Sequence, residues 1–154
     1  MNGQSNRSGK ELAAHIRSGE SLHFSGEFFK PVELIYLACP FRHADLSVQR
    51  KRCAAAHYVA AKLSSQGRHI FSPLTHNELL IDIIQDTIPS EHWMQFDLAI
   101  LAACKRLFIL TMEGWQLSKG VQREILFARE RSMPIEEIEP PAESLFLPFL
   151  RASS

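Results

Sequence analysis

The sequence lacks any apolar run approaching the roughly 18 residues of a membrane span, and it has no excess of charge of either sign. Lys+Arg and Asp+Glu are 17 each in 154 residues, for a formal net charge of zero. A protein that coats DNA or RNA needs surplus cations to neutralise phosphates, so this balance argues against a nucleic-acid polymer as partner. It leaves room for a local cluster that holds one phosphate. Cysteine is scarce and odd in number: Cys39, Cys53 and Cys104 stand at irregular spacing, which is not a disulfide framework. The opening MNGQSNRSGK is polar with no apolar core behind it and does not read as a secretory signal. What is present, 45% apolar and 22% charged residues, fits a single globular domain expected in the cytoplasm.

Residues 1–31 stand apart as an accessory segment. Ser8 and Glu11 have capping-box spacing, Leu12 and Ile16 would give a short helix one apolar line, and Gly19 would stop it. The main domain, residues 32–154, opens with Val32-Glu33-Leu34-Ile35-Tyr36-Leu37-Ala38, almost continuously apolar, as a strand covered on both faces requires. Asp45 is placed to cap a helix running to about Gln66, with apolar positions Cys53, Ala56, Val59/Ala60 and Leu63, and Gly67 suits the left-handed position beyond it. A short strand, His69-Ile70-Phe71, leads to a loop opened by Ser72-Pro73. Ser90 is expected to cap a helix through Cys104, Leu107–Leu110 to form a third strand, and Ser118 to cap a helix through about Arg131. Pro134-Ile135 would begin a fourth strand. The tail, with Pro140, Pro141 and Pro148 among apolar groups, should pack as irregular structure.

Alternating strands and helices with short connections read as α/β, an open, mostly parallel sheet flanked by helices of the flavodoxin-like or Rossmann-like kind. Ligands of such sheets sit beyond the carboxyl ends of the strands. That gathers Cys39–His43, Ser72–His76 and Thr111–Ser118 around one crevice.

Two carboxylates lie on faces that should be apolar. Asp97 follows Trp93 by four residues and precedes Ile100 by three, on the stripe of its helix that includes Leu101 and Cys104. Glu124 lies between Val121 and Ala128, beside Ile125, with no cation at helical spacing among Gly120, Phe127 and Ala128. Each could be structural: Asp97 hydrogen-bonded to backbone, Glu124 at an exposed edge of its stripe. If both are buried where the two helices flank one strand, they form the acid pair that cleaves glycosidic bonds.

At this point the chain resembles the nucleoside 2-deoxyribosyltransferase-like superfamily over about residues 32–135. The matching pieces are Ile35-Tyr36-Leu37-Ala38-Cys39-Pro40-Phe41, the Asp97 helix and Ser118-Lys119-Gly120-Val121-Gln122-Arg123-Glu124. Gly114-Trp115-Gln116-Leu117-Ser118-Lys119-Gly120-Val121 is similar to the loop of a bacterial and phage branch. The resemblance implies that Glu124 is the nucleophile at the anomeric carbon, that Asp97 stands beside the leaving base, and that Tyr36 is a strand-end tyrosine touching sugar or nucleophile. It implies a base pocket at Pro40 and Phe41. Ser118 replaces the transferase Asp that binds sugar hydroxyls and matches instead the serine of nucleotide N-glycosidases. There Ser118, Gly120 and the helix amides would hold a 5′-phosphate, aided by Arg42. Ionised Glu124 and protonated Asp97 would divide the chemistry, with no metal or cofactor required. The family likeness also implies a homo-oligomer. The expected ligand is a nucleoside or its 5′-monophosphate, with deoxyribose preferred. The competing reading is a non-catalytic nucleotide-binding or sensing module of the same fold, and a third is a partner-binding protein.

Other signals carry less. Cys39, His43, Cys53 and His57 show C-x3-H-x9-C-x3-H spacing, but Cys39 would end a buried strand, a poor place for a zinc knuckle. Trp93 and Trp115 could stack a base or belong to core or interface. Gln49-Arg50-Lys51-Arg52 reads as a solvated basic face, and His76 as a ligand contact on the second loop.

Overall fold

The computed structural model describes residues 31–84 and 87–150; the short helix expected between Ser8 and Gly19 lies outside them. Four strands, β1 (Leu34–Ala38), β2 (His69–Phe71), β3 (Arg106–Leu110) and β4 (Ile135–Ile138), form one all-parallel sheet in the order β2-β1-β3-β4. The helices are α1 (Leu46–Ser65), α2 (Pro73–Ile84), α3 (Ser90–Ala103), α4 (Lys119–Glu130) and the short α5 (Glu143–Phe146). This is the open α/β architecture the alternation of elements predicts.

Both faces of the two central strands are covered, which is why they read as nearly unbroken apolar runs. Ile35, Leu37, Phe108 and Leu110 pack on one side with Cys53, Ala54, Ala55, Ala56 and Val59 of α1 and with Phe146. Tyr36, Ala38, Leu107 and Ile109 pack on the other with Leu101 of α3 and Val121, Ile125 and Ala128 of α4. On the second face of the central strand β1 the polar side chain of Tyr36 is fully buried. The alanine run of α1 allows that helix to lie close on the sheet.

Asp45 caps α1 as expected, its side chain accepting from the Ser47 N–H at 2.8 Å. Gly67 follows α1 with φ 81°, the left-handed conformation that suits glycine. An added Cβ at Gly67 meets nothing within 4 Å, so Gly67→Ala isolates backbone strain. It should cost about 1–2 kcal/mol in urea unfolding; a neutral result would show that the turn relaxes freely.

Three local expectations are corrected. Ser72-Pro73 opens no loop: α2 begins at Pro73, whose fixed φ and missing N–H suit a first helical position. The Thr75 and His76 amides donate to the Ser72 carbonyl at 3.1 and 3.2 Å. Ser90 is not a cap; Pro89 occupies that position without a side-chain hydrogen bond, and Ser90 is the first residue of α3. The tail is more ordered than expected, since α5 and the 3-10 turn Leu147–Phe149 bring Phe146 into the core at 1% exposure. Among the described residues no helix is long and apolar enough to cross a membrane.

Candidate functional site

Both suspect carboxylates are buried, Asp97 at 8% and Glu124 at 6% exposure. Glu124 faces the sheet because its neighbours Val121, Ile125 and Ala128 supply the packing face of α4. There the Tyr36 hydroxyl donates to Glu124 Oε1 at 2.6 Å. No cation pairs with Glu124 among the described residues. Asp97, reaching in from α3, accepts from Asn77 Nδ2 of α2 at 3.1 Å. Asn77 is itself 5% exposed, and its Oδ1 has no partner among the described residues.

Burial raises both acids, and by different amounts. Desolvation pushes Glu124 up to about 8, with the Tyr36 hydrogen bond opposing and the Asp97 charge adding. Desolvation pushes Asp97 up to about 6, restrained by Asn77 and by the nearby His76. The Tyr36 phenol is also held well above its ordinary range, by burial and then by the Glu124 and Asp97 charges. The carboxyl that holds its proton more tightly is therefore Glu124. The expected assignment, ionised Glu124 with protonated Asp97, is a minor protonation state of the free protein.

An aromatic chain borders the acids. Tyr36 and Phe71 rings are 5.7 Å apart, Phe71 and His76 5.8 Å, and His76 and Phe96 5.5 Å with planes nearly parallel at 19°. His76 is thus one turn into α2 rather than on a loop, and its side chain is exposed. Tyr36 is mid-strand and fully buried, not at a strand end; its hydroxyl is committed to Glu124. Trp93 is half-buried, and its indole N–H is an enclosed donor without a partner among the described residues. Trp115, also half-buried, packs under the second-face core from the 3-10 turn Trp115–Leu117.

The loop residues divide between structural and open positions. Pro40 is fully buried, Phe41 packs against the first-face core, and Arg42 is exposed. Ser118 caps α4, its Oγ accepting from the Val121 N–H at 3.5 Å. A Cβ on Gly120 would meet Met94 Cε at 3.7 Å and Ser118 Oγ at 3.9 Å, ordinary contacts, so space alone does not require glycine there.

Spacing alone does not reveal Asn77 or Arg52. Arg52 was expected on a solvated face and is instead 6% exposed. Its Nη1 donates to the Arg42 and Phe41 carbonyls at 2.9 and 3.4 Å, and its Nη2 to the Glu113 carbonyl at 2.6 Å. The cysteine–histidine spacing is not assembled: His57 pairs with Glu78 at 3.1 Å, and the Cys39 thiol donates to the Pro40 and Arg52 carbonyls at 3.6 and 3.8 Å. Burial raises the Cys39 thiol strongly, as for a packed cysteine rather than a nucleophile. No group of three or more His, Cys, Asp or Glu able to hold a metal ion occurs among the described residues. A cavity of about 490 Å³ opens at the amino ends of the strands, near His69, Arg106 and Glu136, away from the two acids.

The profile of the family described as Domain of unknown function (DUF1937) matches residues 33–139. The chain belongs to the DUF1937 family. The match starts just before β1 and ends just after β4, so the DUF1937 region holds the whole sheet together with Tyr36, Asn77, Asp97 and Glu124. No curated protein matches the chain.

Proposed function

We propose that this DUF1937 protein is a cytoplasmic N-glycosidase or deoxyribosyltransferase acting on a nucleoside 5′-monophosphate, with Glu124 as nucleophile and Asp97 as proton donor. One observation carries the reading: a buried carboxyl with a phenol at 2.6 Å and no ion-pair partner among the described residues, raised further by the charge of a second buried carboxyl. Desolvating such groups costs several kcal/mol that stability alone would not select. The resemblance of Ser118–Glu124 to the glycosidase loop and helix supplies the substrate class.

In this mechanism ionised Glu124 attacks C1′ of the sugar through an oxocarbenium-like state. The C1′–N bonding pair leaves with the base, which takes a proton from Asp97. Water then hydrolyses the glycosyl ester, and its proton restores Asp97. Tyr36 orients the Glu124 carboxylate and is a positioning residue. A homo-oligomer belongs to the same proposal. Leu80 and Ile83 follow His76 on α2 at helical spacing and are 39% and 75% exposed, an apolar strip suited to a second copy.

The test is release of free base from deoxy- and ribonucleoside monophosphates, followed by chromatography. Turnover with at least one member of the panel is expected. Tight binding with no release from any of them would favour the nucleotide-sensing alternative.

A further inference from the structure

Arg52 is a buried guanidinium without a carboxylate partner among the described residues. Such a cation is rare, because desolvation is costly unless other groups compensate it. Here the compensation is three backbone carbonyls, from Phe41 and Arg42 in the loop after β1 and from Glu113 in the loop after β3. Strands β1 and β3 are neighbours, so Arg52 ties together two loops on one rim of the sheet.

The peptide bond is planar and trans, so each carbonyl fixes the amide that follows it. With the carbonyls of residues 41, 42 and 113 turned onto Arg52, the N–H groups of Arg42, His43 and Gly114 point the opposite way. All three residues are exposed, and their amides donate to nothing among the described residues. Arg42 and His43 are consecutive, and successive outward N–H groups form the concavity that binds oxyanions; Gly114 adds an outward amide from the loop after the neighbouring strand. The Gly114 carbon itself lies close over the clamp, since a Cβ there would stand 3.4 Å from Arg52 Nη2.

We infer that Arg52 is a positioning residue that draws three carbonyls inward and thereby presents the Arg42, His43 and Gly114 amides to a phosphate monoester. The inference deepens the reading above, on which it rests for the substrate, by naming what holds the phosphate. The Arg42 side chain is exposed on the same loop and makes no ion pair among the described residues, so it can close over the same anion.

Inorganic phosphate is the direct probe, titrated into the full-length 15N-labelled protein. The amide resonances of Arg42, His43 and Gly114 are expected to shift saturably. Arg52→Met should weaken phosphate binding by about tenfold or more. Arg52→Lys, which keeps the charge but not the planar fork, should weaken it by about fivefold. A clamp that merely stabilised the fold would not discriminate between ligands. In Arg52→Lys the KM for a nucleoside monophosphate should therefore rise, while that for the matching nucleoside stays within about twofold. Phosphate that leaves those three amides unmoved, or binds Arg52→Lys as tightly as wild type, overturns the inference. Base release by Glu124 is read separately. A protein that binds phosphate on these amides yet releases no base keeps the cradle and loses the glycosidase reading.

Discussion

Glu124→Gln should abolish base release, by roughly 10³-fold or more, and at the same time stabilise the fold in alkaline solution. The two effects have one cause. Glu124 titrates near 4.5 in an unfolded chain and near 8 in the folded one, because burial disfavours its charge. The folded state therefore binds this proton more tightly. The associated stability is complete below pH 4.5, declines as pH rises, and is lost once pH passes 8. At about 1.4 kcal/mol per pKa unit the loss is on the order of several kcal/mol, or roughly 10 °C in Tm for a domain of this size. Glutamine keeps the shape and can accept from Tyr36 but never ionises. The variant should melt near wild type at about pH 5 and well above it at about pH 9. Base release that survives the substitution, or a melting difference that does not grow between those pH values, would defeat the assignment.

The second large effect belongs to Asp97→Asn. General-acid catalysis contributes about 10²–10⁴-fold, so release of an ordinary base should fall by that order. An N7-methylated purine carries a positive charge and departs as a neutral group, needing no proton. Its release should fall by less than about tenfold in the same variant, because only the proton-donor role is removed. Equal losses for the two bases would show that Asp97 positions the substrate rather than protonating it.

The same two groups set the pH profile. The reactive state needs Asp97 protonated, which is lost above about 6, and Glu124 ionised, which is gained toward about 8. A bell-shaped kcat/KM centred near pH 7 follows, with about one molecule in a hundred in the reactive state at the optimum. The inflections belong to the coupled pair: because the reactive state is the minor one, the acid limb bends near 6 and the alkaline limb near 8. The acid side nevertheless falls through loss of the Glu124 charge and the alkaline side through loss of the Asp97 proton. In Asp97→Asn the alkaline limb should disappear and the acid limb should move up toward 8, where Glu124 alone titrates.

How much of this was legible beforehand depends on whether a feature is local. The first strand (expected over Val32–Ala38 and found over Leu34–Ala38), the Asp45 cap, the Gly67 stop and the Ser118 cap rest on contacts within a few residues, and each is found at or within two residues of where the pattern places it. Helix α2 was missed because Pro73 and its polar neighbours mimic a loop, although proline is well suited to a first turn. Glu124 and Asp97 stood out because a carboxylate on an apolar stripe violates the helical pattern, and that violation is visible in one dimension. Arg52 did not, because it sits among Arg50 and Lys51, and nothing local distinguishes a buried guanidinium from solvated ones.

Heptad-scale spacing and chain order were thus enough to determine the α/β architecture, the helix ends and the two anomalous acids, since these follow from backbone geometry and the need to bury one face. Only the tertiary structure could bring Tyr36 onto Glu124 and Asn77 onto Asp97, partners 88 and 20 residues apart in the chain. Only it could weaken both acids, Glu124 more than Asp97, because desolvation depends on what surrounds a carboxyl in space. Arg52 became a clamp for the same reason: the carbonyls that hold it come from loops brought together by neighbouring parallel strands.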